Sequence, residues 1–548
     1  MRKPLFLALL LTAFVQFAFA NDYDKAWEAL HRNDRQKAIE YLQKALKNPA
    51  TAADAYITLL YLDKFNGNDK ADPGFYDLVM QKVNAPDPYL YSMWFEAGVL
   101  GPYGKKQASQ MALLQHIFQS KQLNGSIKAA AHYVKASHNL ATNHFEQALA
   151  EWKQMGSIMQ WQYAGPFENL SGTGFYKDYG PLAHPESTAS FSGKNKAPIH
   201  WFVPASSDKD AWMSVNTYIP DNTAIVYAQS FVYSPEEADI LLNAGGGGSL
   251  KVWVNDALVI STAKEIITEL DYYKSACHLQ KGYNRILVQI GYTNSATANF
   301  IIRCTDKNGN VLEALKDSNL VQPYQKAASG NTTTEIKHFA ETFFQEKIKS
   351  DPTNPVNYLL LSQAYLRNQR SFEARKAIEP ILKKYPNNSL LRFELIQCLL
   401  KAQNQTLLSQ EVERMKEKDP NCLIALQLGL RQLMNEEKYE EAEEQYANMV
   451  KKYAENSDLI QLHIEILNAR KKHDEAIKLI QTAYEKYPEN QSIIDLAVDV
   501  QKNAYKNIDG AINVYKKYLD SNFAYDMLKK LGNEYLAQGK KEQALACF

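Results

Sequence analysis

The amino-acid sequence predicts a mainly α-helical chain in which a helical solenoid flanks an antiparallel β-sandwich. Three patterns support this fold class. Prolines and small residues recur at intervals of 34 in the C-terminal part, the helical pattern is lost between residues 158 and 316, and it returns in weaker form over 21–157. A fixed period of this length indicates stacked helical hairpins, whereas short runs rich in β-branched and aromatic residues indicate strands.

The C-terminal repeat is defined by three sets of positions. Prolines stand at Pro352, Pro386, Pro420 and Pro488, with Ala454 in the place of the missing member. Small or apolar residues recur with spacings of 34, 34, 34, 34, 35 and 33, at Ala340, Ala374, Leu408, Ala442, Ala476, Ala511 and Ala544. A bulky residue follows each of them four positions later, at Phe344, Ile378, Val412, Tyr446, Ile480, Tyr515 and Phe548. The small residue lets two helices approach, the bulky one fills the space between hairpins, and proline ends the second helix because it cannot continue one.

These positions resemble the tetratricopeptide repeat over about residues 335–548. The fullest match is the last unit, which carries Leu531, Gly532, Tyr535, Gly539, Ala544 and Phe548. Looser or re-angled packing is predicted where the small residue expected after the first-helix leucine is replaced by Ile396, Leu430, Ile464 and Val498. Because Phe548 stands in the middle of a second helix with no capping unit after it, the array is predicted to be truncated within a repeat.

Residues 21–157 are predicted to be a degenerate form of the same helical repeat. The residues that fit two second helices are Ala38, Leu42 and Ala45, and then Phe145, Ala148 and Trp152. Apolar residues continue at helical spacing between these two groups, but the full signature is missing. We therefore expect helical hairpins here with less regular packing.

A β-sandwich is predicted for residues 158–316, followed by a linker over 317–334. The predicted strands are Ile199–Val203, Ala224–Tyr233, Asp239–Asn243, Leu250–Val254, Asn284–Ile290 and Phe300–Cys304. Turn formers separate them at Gly245–Gly248, Asn255-Asp256, Lys281-Gly282 and Asn308-Gly309. The segment resembles the galactose-binding-like jelly roll, on the motifs Trp161 with Gly165-Pro166-Phe167, Lys251-Val252-Trp253-Val254-Asn255, and Leu279 with Lys281-Gly282 and Asn284. That fold is common among carbohydrate-binding modules, so the resemblance implies a possible glycan ligand.

The first twenty residues are predicted to be a cleaved signal peptide. Two cations precede an apolar run, and the small residues before Asn21 suit cleavage between Ala20 and Asn21. A retained anchor is the alternative, but the apolar run is at the short limit for crossing a bilayer. The mature chain is therefore expected to be soluble and exported, either periplasmic or secreted, and not membrane-spanning.

Composition excludes some classes of partner. The 548 residues include 61 basic and 61 acidic side chains, and removal of the leader leaves 59 against 61. A nucleic-acid binder would need a basic excess to displace counterions, so no nucleic-acid partner is expected. The same balance disfavours a polybasic membrane surface.

The five cysteines are Cys277, Cys304, Cys398, Cys422 and Cys547. Cys277 and Cys304 fall in one predicted β region, where they either pair or stay free as small buried hydrophobes.

No catalytic, cofactor or metal site is predicted. The run Gly245–Gly248 lacks the Gly-Lys-Ser/Thr of a phosphate loop and is interpreted as a flexible connection between strands. Asp306, Asn308 and Asn310 alternate like calcium ligands, but no acid closes the loop and a hairpin turn explains them. The three histidines at spacings of six scatter around a helix, at His132, His138 and His144.

Two surfaces are candidates for binding. Sandwich aromatics either pack in the core, which is the default, or form a sugar platform; they are Trp201, Trp212, Tyr218, Tyr227, Tyr233 and Trp253. The repeat array predicts a groove lined by first helices, at Gln363, Arg367, Gln397, Lys401, Gln427, Arg431, Asn435, Gln461, Glu465, Asn468, Asp495 and Asp499. These positions are either an ordinary solvated face or a groove for an extended or helical peptide, oriented by a change from basic to acidic along the array.

The order of leader, helical repeats, jelly-roll-like insert and further repeats resembles a group of large exported bacterial proteins. In that group the repeats precede a domain of unknown function and a transglutaminase-like cysteine domain. The resemblance implies that this chain is the non-catalytic front of such a protein. Three functions remain open: a scaffold that binds a protein or peptide in the solenoid groove, a module that presents substrate to an enzyme domain outside this chain, and a glycan-binding protein.

Overall fold

The computed structural model describes residues 21–66, 79–93, 107–204, 210–294, 298–327, 334–453, 456–488, 490–520 and 524–548. It confirms the predicted fold class, because helices flank a curled antiparallel β-sheet domain. The predicted signal peptide, residues 1–20, lies outside the described residues, which begin at Asn21.

Helices precede the sheet domain, as the sequence predicts. They are α1 (Asp22–His31), α2 (Arg35–Ala45), α3 (Ala52–Phe65), α4 (Pro86–Met93), α5 (Gln107–Gln119), α6 (Gly125–Ala141) and α7 (Phe145–Met155). Asn21 caps α1 by accepting the Asp24 N–H, and Asp34 caps α2 by accepting the Lys37 N–H. The small and bulky positions of α2 and α7 are buried, except that Phe145 is 39% exposed.

The sheet domain is antiparallel throughout its described ladders. Its strands are β1 (Gln162–Phe167), β2 (Ser190–Ser192), β3 (Pro198–His200), β4 (Met213–Ser214), β5 (Ala224–Ser234), β6 (Ala238–Val254), β7 (Ala257–Ile267), β8 (Tyr273–Leu279), β9 (Gly282–Tyr292), β10 (Asn299–Thr305), β11 (Lys316–Ser318) and β12 (Thr334–Ile336). The first part of β6 pairs with β8 and β10, and its second part pairs with β7 and β9. Strand β5 joins β9 to β1 and β11. One long strand therefore runs through both halves of the sandwich.

The prediction that Gly245–Gly248 forms a flexible connection is wrong. These glycines lie inside β6, at the point where the strand passes from one set of partners to the other. A Cβ on Gly245 would stand 2.5 Å from the Glu269 carbonyl oxygen, and one on Gly248 would stand 2.7 Å from that of Gly291. Glycine is needed here because neighbouring backbones approach too closely for any side chain.

The predicted linker over 317–334 is also corrected. Its two ends belong to strands, since β11 pairs with β5 and β12 pairs with β8. Between them, the Tyr324 hydroxyl lies 2.9 Å from the Asp256 carboxylate, and the Ala327 N–H donates to the Asn255 carbonyl. The sandwich therefore extends to Ile336.

Cys277 and Cys304 do not pair. Both are free thiols, on β8 and β10, and β6 runs between these two strands. Two strand spacings of about 4.8 Å exceed the reach of a disulfide. Burial raises the pKa of the Cys277 thiol to about 12, so it is neutral at pH 7.

The C-terminal array alternates first and second helices. Helix α8 (Phe339–Ser350) is a second helix, and it is followed by α9 (Pro355–Leu366), α10 (Ser371–Lys384), α11 (Ser389–Lys401), α12 (Gln405–Lys418), α13 (Leu423–Asn435), α14 (Tyr439–Val450), α15 (Ser457–Ala469), α16 (His473–Lys486), α17 (Gln491–Asp499), α18 (Ile508–Leu519), α19 (Tyr525–Ala537) and α20 (Lys541–Leu545). Every small residue of the 34-residue pattern is buried in this array.

One left-handed residue sits in the turn of each hairpin of the array, and the same turn occurs near the N-terminus. These residues have φ between 53° and 71°, at Gln369, Gln403, Glu437, Lys471, Lys506 and Gly539. Each stands five positions before the small residue of its second helix. Asn33 and Asn143 have φ of 59° and 60° and stand five positions before Ala38 and Ala148. The N-terminal hairpins therefore share the local geometry of the array.

A π-helical turn accommodates the step of 35 residues between Ala476 and Ala511. Residues Val500–Ala504 form this turn directly after α17, and the Tyr505 N–H donates to the Val500 carbonyl at 3.1 Å. Such a bond spans five residues instead of four, so it accommodates one inserted residue within a helix.

The N-terminal helices pack directly on the front of the array. Helix α9 contacts α3 and α4, and α11 contacts α1 and α3. A single core joins the two regions, from Tyr23 to Ala425. At its rim the His31 ring stacks on Tyr385 with centroids 3.3 Å apart, and Asn33 exchanges hydrogen bonds with the backbone at Asn387 and Ser389.

Candidate partner-binding face of the repeat array

Asparagine caps fix the direction of several first helices. Asn354, Asn388, Asn456 and Asn490 each accept a first-turn N–H at the start of a first helix. Because a capped helix begins at a defined residue, the side chains one period apart lie side by side on neighbouring first helices. The twelve predicted groove positions lie on the first helices α9, α11, α13, α15 and α17 or at their ends.

The front of this face is filled by the chain itself. Gln363 is 5% exposed and donates to the Glu394 carboxylate at 2.8 Å. The Arg367 side chain is 6% exposed, lies 3.3 Å from the Glu269 carboxylate, and donates to the Tyr91 carbonyl. Its guanidinium also lies 4.2 Å from the centre of the Tyr91 ring. Neither residue is open to a partner, because α4 and the sandwich cover them.

The remaining groove positions face solvent to different degrees. Half-buried residues are Gln397, Gln427, Gln461 and Asp495, whereas exposed residues are Lys401, Arg431, Asn435, Glu465, Asn468 and Asp499. We call these ten residues the open face. The structure therefore leaves these ten side chains at least partly accessible, whereas Gln363 and Arg367 are buried.

Ion pairs between neighbouring first helices cross the open face. The Arg431 guanidinium lies 3.9 Å from the carboxylate of Glu465, which stands one period later in the sequence. Asp495 lies 2.6 Å from the Lys530 amine, and Lys502 lies 2.6 Å from the Glu534 carboxylate. The predicted change from basic to acidic does not hold, because lysines return after Asp495.

Sequence reasoning missed Lys502, Lys530 and Glu534. A signal was available, since side chains of opposite charge about one period apart mark cross-repeat pairs. The exposed pairs each contribute about 0–1 kcal/mol, so they order the surface without closing it.

The sandwich aromatics mostly fill its core. Trp201, Trp253 and Tyr227 are 6%, 7% and 3% exposed. Trp212 and Tyr218 are half-buried, and Tyr233 is 38% exposed beside Tyr283. Within the described part of the sandwich, no two tryptophans share an exposed patch, so these residues do not form the sugar platform considered above.

The fold is that of a helical-repeat protein with an antiparallel β-sheet domain between its two helical regions. Residues 359–407 match the tetratricopeptide repeat family. The comparisons indicate no catalytic family, and none of the curated proteins matches this chain. Within the described residues, no helix is long and apolar enough to cross a bilayer.

Three solved structures show similarity to the chain. A tetratricopeptide repeat protein from Parabacteroides merdae is 16% identical, over 38% of this chain and 82% of that one, with a TM-score of 0.31. Yeast Tom70 is 12% identical, over 95% of this chain and 82% of that one, with a TM-score of 0.31. A human IFIT1 dimer with PPP-AAAA is 15% identical, over 38% of this chain and 54% of that one, with a TM-score of 0.27.

Proposed function

We propose that this chain is an exported scaffold that holds a protein or peptide partner against the open face. The observation that carries the proposal is the contrast along one surface of the array. Its front, at α9 and α11, packs against helices α1, α3 and α4 of the same chain, whereas the later positions from Gln427 to Asp499 are half-buried or exposed among the described residues. A surface that already packs helices at one end has the geometry to receive an extended or helical segment at the other.

The chemistry of the open face favours a polar partner. Its side chains are amides and charges of both signs, and the exposed pair Arg431–Glu465 is loose enough at 3.9 Å to exchange partners. Charges at the rim of an interface mainly set its specificity and its rate of association. The partner therefore carries its own charges of both signs, and its binding weakens as salt rises.

Site-specific photo-crosslinking tests the open face. A photoreactive residue at Asn435 or Asn468 is expected to capture one discrete protein in the native envelope. The same residue at Lys478, which is exposed on the second helix α16, serves as the control. The double substitution Lys401→Glu with Arg431→Glu should abolish the adduct, whereas Lys478→Glu should preserve it. Adducts of equal yield at all three sites, or none at the open face, would refute the proposal.

Export is tested separately. Fusion of residues 1–30 to alkaline phosphatase is expected to give an enzyme that is active outside the cytoplasm. Mass spectrometry of the mature chain should find Asn21 at its N-terminus. A chain that keeps Met1 and stays in the cytoplasm would contradict this part of the proposal and leave the open face unaffected.

A further inference from the structure

A cavity of about 730 Å³ lies where helix α7 meets the sandwich. Its walls come from the end of α7 and the turn that follows it, from the approach to β1, and from the segment 311–319, which contains β11. Small-molecule sites in proteins occupy about 300–1,000 Å³, so the cavity has the size of such a site. None of its lining residues belongs to the open face, so it is a separate feature of the molecule.

Hydrogen bonds hold the walls of this cavity in place. The Asp317 carboxylate accepts the N–H groups of Met159 and Gln160 at 2.7 and 2.8 Å, and it thereby ties the approach to β1 to strand β11. The Trp161 indole N–H donates to the Ile158 carbonyl at 2.8 Å. Because these bonds fix the lining segments relative to one another, a ligand would enter a preformed site.

The floor of the cavity is apolar. The lining residues that are buried are all apolar or aromatic, or carry a thiol; they are Ile158, Trp161, Tyr163, Met213, Val232 and Cys304. Burial raises the pKa of the Cys304 thiol well above its usual value, so this side chain is neutral and behaves as a small hydrophobe. Replacement of water by an apolar group on such a floor is favourable.

The rim of the cavity is polar and carries charges of both signs. Lys153, Gln160 and Glu313 line it and are exposed to solvent. The Asp317 carboxylate already accepts two backbone N–H groups, so these charges together select neither an anion nor a cation. Ser157 also lines the cavity, and its buried hydroxyl has no hydrogen-bond partner among the described residues. This hydroxyl can donate to, or accept from, a neutral polar group.

We propose that the cavity binds a small, uncharged amphiphile. Its apolar body lies on the buried floor, and its polar group bonds the Ser157 hydroxyl and meets solvent at the rim. A free sugar does not suit this floor, because most of its hydroxyl groups would lose water without gaining partners. The ligand contacts both α7 and the approach to β1, so its binding stabilises the packing of the N-terminal helices on the sandwich.

Fluorescence titration of the purified chain with phenylnaphthylamine, an uncharged apolar dye, tests this site. We expect saturation at one dye per chain with a Kd below about 100 μM. Hydroxymethylbenzophenone, an uncharged amphiphile, should displace the dye and raise the Tm of the chain, whereas galactose should do neither.

A matched pair of substitutions locates the dye. Val203 lines the cavity and is 46% exposed, whereas Leu258 lies on β7, outside the lining, and is 43% exposed. Val203→Arg should weaken dye binding about tenfold, because it removes an apolar contact and places a charge at the mouth. Leu258→Arg should bind like the original protein. Both side chains are exposed, so both variants should keep the original Tm without ligand.

Photolysis of bound hydroxymethylbenzophenone locates the ligand without any substitution. The excited ketone inserts into nearby C–H bonds, and both Met159 and Met213 line the cavity. Mass spectrometry should therefore find the adduct on a peptide that contains one of these methionines. The proposal is overturned if the dye does not saturate, if galactose displaces it, if Val203→Arg binds as tightly as Leu258→Arg, or if the adducts lie mainly elsewhere in the chain.

Discussion

Arg367 and Arg431 are both predicted groove residues, yet the structure gives them opposite environments. Arg367 is 6% exposed and its partner Glu269 is 22% exposed, at 3.3 Å. Arg431 and its partner Glu465 are 57% and 53% exposed, at 3.9 Å. We therefore predict that Arg367→Gln strongly destabilises the fold and that Arg431→Gln does not.

The expected magnitudes follow from burial. Loss of one partner from a buried pair costs about 3–5 kcal/mol, because the other charge is left without compensation. Burial raises the pKa of Glu269 and Arg367 opposes that rise, so Arg367→Gln leaves Glu269 in a worse environment. Loss of an exposed pair costs about 0–1 kcal/mol. The contact of Arg367 with the Tyr91 ring is lost as well, and this adds to the difference.

Urea unfolding of both variants, followed by circular dichroism and by tryptophan fluorescence, measures the contrast. The chain has several cores, so the comparison uses the first transition that either probe detects. Arg367→Gln should shift this transition to much lower urea, whereas Arg431→Gln should leave it nearly unchanged. Equal midpoints for the two variants would show that the packing of α4 on the array is not as described.

Three further predictions use other local features. Burial lowers the pKa of His31 to about 4. The free energy of unfolding should therefore fall by about 1–2 kcal/mol as the pH drops from 6.5 to 4. Urea melts at several pH values should show that His31→Gln removes this dependence. Gly156→Ala should destabilise the fold by about 2–4 kcal/mol, because its Cβ would lie 2.6 Å from the Val311 side chain. Gly539→Ala has a similar φ but open space around its Cβ, so it should destabilise the fold by about 1 kcal/mol. Equal losses in Tm for the two variants would contradict this prediction. Deletion of Asn503 should turn the π-helical turn into α-helix with a loss of no more than about 1 kcal/mol, and a collapse of the helical circular dichroism would refute that account.

The hairpins were predictable because their signals are local. A small residue in the second helix and a turn five positions before it lie within one stretch of chain, so a period of 34 fixes both. The same logic extends to Asn33 and Asn143, whose turns match those of the array although the rest of the signature is absent. Local geometry therefore survives where the packing residues have changed.

The covered front of the groove was not predictable in this way. Arg35 pairs with Asp419 across 384 positions, and Asn33 bonds Asn387 across 354. No short-range pattern links such residues, so Gln363 and Arg367 carried the same signal as the exposed positions that follow them. The prediction of a flexible connection at Gly245–Gly248 was wrong for a related reason. Close contact between strands requires glycine as strongly as a turn does, so the sequence does not distinguish the two.

The step of 35 residues shows what the repeat period can and cannot predict about local structure. The spacing places one extra residue between Lys471 and Lys506, but it does not say whether a loop or a helix holds it. The side-chain pairs locate it in the structure. Asp495, before the π-helical turn, bonds Lys530 35 positions ahead, whereas Lys502, within the turn, bonds Glu534 only 32 ahead. The insertion therefore changes which charges meet across neighbouring first helices, and it does so at the end of the open face.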